Sequence, residues 1–278
     1  AIVTDRFHGP ELPRYFSMLS MILGIAPVIA PVLGGAILEV TSWRVIFVVL
    51  AGFGVLLALA VLAVPESLPP ERRNPDGLAS TFRMMGRLVG RRAFMGYVLT
   101  GAFTSAALFT YISSSSFVFE NLYEVSPTQY SLIFATNAIG MLVASAVFGS
   151  LSRRVALPVL LNISLLIVLL AVVVHVLLLA TVGGSIAGTW ACLFVALFGM
   201  GGVNPATMSL GQGLARDAPG AASALFGGFQ FTLGAAASPL VGMLGTDSAR
   251  PMAVVMLVTV CVAALARLLS RTPGGAGG

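Results

Sequence analysis

Long, nearly uninterrupted apolar runs are the feature that most constrains what this chain can fold into. A helix needs about 20 mostly apolar residues to cross the hydrocarbon core of a membrane. Lipid offers exposed backbone no hydrogen-bond partner, and the runs are continuous rather than alternating, so they predict helices and not the strands of a barrel. The runs are Tyr15–Leu38, Val45–Val64, Phe94–Phe117, Leu132–Gly149, Ala156–Thr181, Ile186–Ala206, Ala221–Leu244 and Met252–Leu269. The predicted fold class is an all-α integral membrane protein of about eight transmembrane helices.

Composition supports the same conclusion and excludes two classes of protein. The 278 residues are 58% hydrophobic and 9% charged, whereas a soluble domain is about 25% charged. The net charge is +5, but the basic residues stand in short stretches between apolar runs. They lack the basic face with interleaved aromatic residues that is typical of nucleic-acid binding. We therefore expect membrane lipid, and no nucleic acid, as a partner.

The distribution of arginine predicts the orientation of the chain in the membrane. Cytoplasmic loops carry an excess of basic residues. With a cytoplasmic N-terminus, thirteen arginines lie inside and two, Arg44 and Arg250, lie outside. The inside set is Arg6, Arg14, Arg72, Arg73, Arg83, Arg87, Arg91, Arg92, Arg153, Arg154, Arg216, Arg267 and Arg271. We therefore expect both termini in the cytoplasm.

One long polar connection divides the chain. It covers residues 65–92 and separates residues 1–64, with two predicted helices, from residues 93–270, with six. The Gly-rich residues 271–278 are predicted to be a disordered tail. Within the connection, Leu78–Val89 has apolar residues at helical spacing. This spacing predicts a short amphipathic helix on the cytoplasmic surface.

The first apolar run concentrates small residues and prolines. Proline kinks a helix, and small residues allow a neighbouring helix to approach closely. A Gly/Pro-rich packing helix would show the same composition. The pattern resembles the antiporter motif of the drug:proton antiporters, with serine and alanine where glycine is usual. The residues that carry it are Ser17, Ala26, Ala30, Pro31, Gly34 and Gly35, followed by Trp43, Arg44 and Phe47.

Further blocks extend the resemblance over nearly the whole chain. Residues 109–119, 123–140 and 218–234 are similar to helices seven, eight and eleven of the Bcr/CflA subfamily of multidrug efflux transporters, in the major facilitator superfamily. That resemblance implies two six-helix bundles. The apolar runs would then be helices five and six of the N-terminal bundle and all six helices of the C-terminal bundle. We expect a partial major facilitator fold, a fragment that lacks roughly the first four helices.

The resemblance also implies an activity, the proton-coupled efflux of drug-like small molecules across the bacterial inner membrane by alternating access. The expected substrate-binding residues are Gln230, Asn204, Asn137, Tyr111 and Phe109. For each amide, hydrogen bonding between helices is the alternative role. Asp5 is expected to be a cytoplasmic latch, and the proton-coupling carboxylate is expected upstream of Ala1. The expected state is a monomer.

The sequence does not predict an enzyme, a cofactor or a metal site. Its only histidines are His8 and His175, and Cys192 and Cys261 lie in different apolar runs without a CxxC spacing. For His175, a neutral packing role and a proton relay are both open. Two alternatives to drug efflux remain: a non-transporting membrane remnant or scaffold, and a metabolite permease of the same superfamily.

Overall fold

The computed structural model describes residues 33–35, 37–38, 40–63, 77–245 and 248–270, and the elements in these ranges are helical. The helices are α1 Trp43–Ala63, α2 Gly77–Val89, α3 Arg92–Ser116, α4 Pro127–Leu151, α5 Leu157–Thr181, α6 Ile186–Leu214, α7 Pro219–Met243 and α8 Arg250–Leu269. The described residues fall into two compact units, divided after Gly77. The predicted first span, Tyr15–Leu38, lies almost entirely outside them.

Seven of these helices are long and apolar enough to cross a membrane, and they correspond to the seven predicted runs from Val45–Val64 onwards. The prediction of an all-α membrane protein is therefore confirmed. One of the seven, α1, belongs to the N-terminal unit. Its first turn carries an aromatic pair. The rings of Trp43 and Phe47 meet edge to face with centroids 5.9 Å apart, and the Arg44 guanidinium lies 4.6 Å from the Trp43 centroid. The amphipathic ring of a tryptophan such as Trp43 is typical of the membrane–water interface.

The C-terminal unit is built around α3 and α6. Helix α3 packs against α6, α7 and α8, while α6 also packs against α4 and α5. In the apolar stretch of the helix that contains α3 and continues to Leu122, 67% of the residues are buried, whereas 22% are buried in the apolar stretch of α7. Consequently α3 is the centre of the bundle, and α7 is a peripheral helix with one face open.

Glycines on α6 allow this close packing. A Cβ on Gly201 would overlap the carbonyl oxygen of Met141 on α4, and a Cβ on Gly202 would overlap the Ser164 side chain on α5. Because small residues let helix backbones approach, van der Waals contact and not water exclusion can hold such a bundle together in lipid. The glycines thus position α4 and α5 on two sides of α6.

The helices continue beyond several of their predicted ends. Helix α3 runs on through a π-helical segment, Phe117–Leu122, because the apolar sequence does not stop at Phe117. Helix α4 begins at Pro127 and not at Leu132, since Ser126 and Gln129 form a reciprocal capping box at its start. Helix α6 passes through Pro205 to Leu214, which membrane helices tolerate when neighbours satisfy the freed backbone.

Candidate functional site

A continuous aromatic cluster joins the C-terminal half of α3 to the N-terminal half of α4. We define it as Tyr111, Phe119, Tyr123, Tyr130 and Phe134. Tyr111 stacks on Phe134 with centroids 5.7 Å apart and planes 15° apart. Tyr130 lies 6.1 Å from Phe134 and 6.3 Å from Phe119, and Phe119 lies 6.1 Å from Tyr123. The cluster therefore holds the C-terminal end of α3, and the segment that follows it, against the start of α4.

Hydrogen bonds tie the hydroxyls of this cluster to neighbouring helices. Asn137 Nδ2 donates to Tyr111 Oη at 3.0 Å. The hydroxyls of Ser115 and Tyr130 are 2.9 Å apart, and those of Tyr123 and Thr189 are 2.8 Å apart. Because Thr189 belongs to α6, these bonds link three helices.

The structure thus brings together two of the predicted substrate-binding residues, Asn137 and Tyr111, inside the bundle. Asn137 is 0% exposed and Tyr111 1% exposed. One carboxamide atom, Asn137 Oδ1, is buried without a hydrogen-bond partner in the described part of the chain. The bond that Asn137 does make is a helix-to-helix bond, which is the alternative role expected for an intramembrane amide.

A second aromatic pair lies on the opposite side of α3, towards α7. The rings of Phe109 and Phe231 have centroids 5.8 Å apart at an angle of 59°. Phe109 occupies the space that a Cβ on Gly234 would need. Phe231 is 65% exposed, and Gln230 beside it is half-buried. Phe109 contacts Phe231, and Gln230 precedes Phe231 on α7. We call the surface that carries these three residues the α3–α7 surface.

The remaining predicted amide, Asn204, lies in the middle of α6 and is half-buried. Thr207 Oγ1 donates to the carbonyl oxygens of Val203, at 2.9 Å, and Asn204, at 3.0 Å. These bonds support the backbone beside Pro205, whose ring nitrogen has no hydrogen to donate. No described contact joins the Asn204 side chain to Phe109 or Gln230.

A groove of about 240 Å³ lies between the C-terminal ends of α3 and α7. The sequence did not single it out as a binding site, although its lining contains intramembrane serines, which are a signal of polarity within an apolar run. Apolar walls with a few hydroxyls are typical of small-molecule sites. Its lining includes Ser113, Ser114, Phe117, Val118, Ser238 and Met252.

An ion pair closes the other end of the bundle. The Arg91 guanidinium precedes α3 and donates to both carboxylate oxygens of Asp217, at 2.9 and 2.6 Å, and to the carbonyl oxygen of Leu214 at 2.9 Å. The hydrogen bond from Arg91, followed by the Coulomb attraction of Arg91 and Arg87, holds the pKa of Asp217 below its ordinary value. The same hydrogen bond raises the pKa of Arg91. The pair fixes the α6–α7 connection to the start of α3.

A model of the Major Facilitator Superfamily matches residues 1–239. The chain belongs to that superfamily. The transporter YdgK of Bacillus subtilis, described as uncharacterized, is 36% identical over 96% of this chain and 66% of its own length. A bicyclomycin resistance protein homolog of Haemophilus influenzae is 28% identical over 96% of this chain and 67% of its own length. The multidrug resistance protein MdtL of Vibrio parahaemolyticus is 31% identical over 52% of this chain and 36% of its own length.

These similarities confirm the superfamily that the sequence motifs resemble, and two of the three relatives are named for drug resistance. The chain spans about two thirds of the length of YdgK and of the bicyclomycin resistance homolog. Superfamily membership makes the chain a multi-pass membrane protein of a transporter family, and not an enzyme.

The residues predicted to form the antiporter motif are only partly within the described ranges. Gly34 and Gly35 are helical, and a Cβ on either would meet no atom within 4 Å. The other motif residues, Ser17, Ala26, Ala30 and Pro31, lie outside the described residues, as does the predicted latch residue Asp5.

The histidine and the two cysteines of the described bundle lie on three different helices, α5, α6 and α8. His175 on α5 is 1% exposed, and its Nε2 has no hydrogen-bond partner in the described ranges. Cys192 is buried and Cys261 is exposed. Within the described residues, no group of histidine, cysteine and acidic side chains is placed to hold a metal ion.

Proposed function

We propose that the chain belongs to an exporter that moves drug-like small molecules out of a bacterial cell in exchange for protons. The observation that carries the proposal is the 28% identity to the bicyclomycin resistance homolog over 96% of this chain. Alternating access between two bundles is the mechanism by which this fold moves a solute past a fixed site.

We place substrate contact at the α3–α7 surface. Phe231 is 65% exposed on a membrane-spanning helix, and Phe109 packs beside it. Gln230 adds an uncharged, half-buried amide whose side chain makes no hydrogen bond within the described residues. Aromatic area with loose hydrogen bonding suits amphipathic molecules of varied shape. Asn204 is a further proposed contact, and Asn137 and Tyr111 are proposed to contribute mainly by holding α3 against α4.

Proton coupling needs a titratable group that opens alternately to the two sides. The acidic side chains in the described bundle, Glu120, Glu124 and Asp217, lie at helix ends or in connections. We therefore place the coupling carboxylate outside the described residues, and assign Asp217, like Asp5, to holding the cytoplasmic end. The domain scheme of residues 1–64, 65–92 and 93–270 and the monomeric state belong to the same proposal.

Efflux of a fluorescent amphipathic dye tests this function in cells that express the protein from its complete coding sequence. We expect energised cells to exclude the dye, and a protonophore to abolish the exclusion, because the proton gradient drives export. We expect Phe231→Ala to lower efflux several-fold at unchanged protein level, since an exposed side chain contributes little to packing. Leu177→Ala is the matched control, because Leu177 is 56% exposed on α5.

Two results would contradict the proposal. Dye export that persists after the proton gradient collapses would remove the antiport mechanism. Equal efflux by the Phe231→Ala and Leu177→Ala variants, with both at the wild-type rate, would remove the α3–α7 surface as the place of substrate contact.

A further inference from the structure

The short helix α2 has an apolar face that the C-terminal unit covers only in part. Leu88 is fully buried, and Met84 and Met85 pack against the hydrophobic core. Phe82 is 68% exposed and Val89 46% exposed. One side of the apolar face therefore attaches α2 to the bundle, while Phe82 and Val89 remain open.

Basic side chains border this open side. Arg83 and Arg87 are both exposed and lie one helical turn apart. Within the described ranges, Arg91 and Asp217 form the one ion pair. No carboxylate of those ranges therefore lies within 4 Å of the guanidinium of Arg83 or Arg87. Two positive charges beside exposed apolar side chains match a surface that is both anionic and apolar.

The position of α2 sets its depth relative to the membrane. It ends at Val89, and the membrane-spanning helix begins at Arg92. The Arg91 N–H donates to the carbonyl oxygen of Leu88 at 3.0 Å, so the connection is one tight turn. Helix α2 therefore lies at the level where the hydrocarbon core meets the lipid headgroups.

Arg153 and Arg154 lie at the same end of the bundle, because α4 runs back to the level from which α3 starts.

We propose that α2 binds anionic phospholipid, with Phe82 and Val89 inserted among the acyl chains and Arg83 and Arg87 at the headgroup phosphates. A basic residue near an anionic membrane surface contributes about 1 kcal/mol, or about fivefold in affinity. Lipid composition would thereby control how firmly the connection between the two units is held at the membrane. This inference does not depend on which solute is transported.

Thermal unfolding of the purified protein in neutral detergent tests the headgroup contact. We expect added phosphatidylglycerol to raise the unfolding temperature more than phosphatidylcholine does, and the difference to shrink as salt is added. The Arg83→Gln/Arg87→Gln variant should bind phosphatidylglycerol about 25-fold more weakly, from about fivefold for each arginine. Arg153→Gln/Arg154→Gln is the matched control, since it removes two exposed arginines from the same end and should keep the effect. An equal response of both double variants would overturn the proposal, as would an equal effect of inorganic phosphate.

Tryptophan fluorescence in vesicles tests the insertion separately. The emission of a tryptophan introduced by Phe82→Trp is obtained as the difference from the unmodified protein. We expect lipids brominated on the acyl chain to quench it, and phosphatidylglycerol to quench it more than phosphatidylcholine. Leu170→Trp, at a 54% exposed position within α5, should be quenched equally by both lipids. If the tryptophan at position 82 escapes quenching, another part of the protein covers Phe82 and the proposal is wrong.

Discussion

At the scale of single residues, the hydrogen bond between Asn137 and Tyr111 gives the clearest test of a structural role. Both side chains are buried, so Tyr111→Phe leaves the Asn137 amide without its partner. A buried donor that loses its partner costs about 1–3 kcal/mol. We expect the variant to unfold at a lower temperature in detergent.

The double variant Tyr111→Phe/Asn137→Leu provides the control. It removes both polar partners, so it should recover part of the lost stability, because replacing both members of a buried pair by apolar groups is far less costly than orphaning one. Wild-type stability in Tyr111→Phe, combined with altered drug export, would instead favour direct substrate contact.

The Arg91–Asp217 pair predicts a definite dependence of stability on pH. The pKa of Asp217 lies below its ordinary value of 3.8 in the folded protein, so the fold favours the charged carboxylate. Its contribution is then fully present above about pH 5 and is lost as pH falls through the folded pKa. The side chains are 41% and 52% exposed, so the contribution is small.

We therefore expect the unfolding temperatures of the wild type and Asp217→Asn to differ by a constant amount between about pH 5 and pH 8, and to converge below about pH 4. The measurement is thermal unfolding in detergent over that range. A difference that grows as the pH falls would show that folding raises the pKa of Asp217 and does not lower it.

At the scale of helices, their existence could be predicted from the sequence and their ends could not. An apolar run reports how long a segment stays in lipid, whereas an end depends on local caps such as Ser126 with Gln129. Pro205 illustrates the same limit. It is a helix breaker by its chemistry, yet α6 passes through it because neighbouring helices surround it.

The glycines of α6 provide the prediction at this scale. Gly201→Ala would place a methyl group against the Met141 carbonyl of α4 and should cost about 1–3 kcal/mol through overpacking. Gly213 lies on the same helix with no atom within 4 Å of an added Cβ, so Gly213→Ala should be neutral or stabilising by about 0.5–1 kcal/mol. Thermal unfolding of the two variants compares them directly, and an equal loss would mean that α4 and α6 do not approach closely.

At the scale of the whole molecule, the sequence indicated which residue types belong to the site but not which of them meet. Phe109 and Phe231 are 5.8 Å apart although they belong to helices far apart in sequence, and that proximity follows from how α3 and α7 pack. Asn137 and Tyr111 were expected in the same set, yet their bond lies inside the bundle. Only packing distinguishes an amide on an open surface from one that joins two helices.

The charge asymmetry of the C-terminal unit predicts the orientation of the molecule. In its described part, Arg83, Arg87, Arg91, Arg92, Arg153, Arg154, Arg216 and Arg267 lie at or near the end where α3 begins, and Arg250 lies at the other end. Since cytoplasmic loops are enriched in basic residues, the end with many arginines should face the cytoplasm. Val182, 83% exposed after α5, should face outward.

Labelling with a membrane-impermeant maleimide tests this orientation in a background where reactive cysteines, including the exposed Cys261, are replaced. Val182→Cys should react in intact cells, and Arg154→Cys, in the turn after α4, should react only after the membrane is opened. Both positions are exposed in the protein, so a difference between them reports the membrane barrier and not burial. The reverse pattern would place the basic end outside, and the direction of transport proposed for the molecule would then have to be reversed as well.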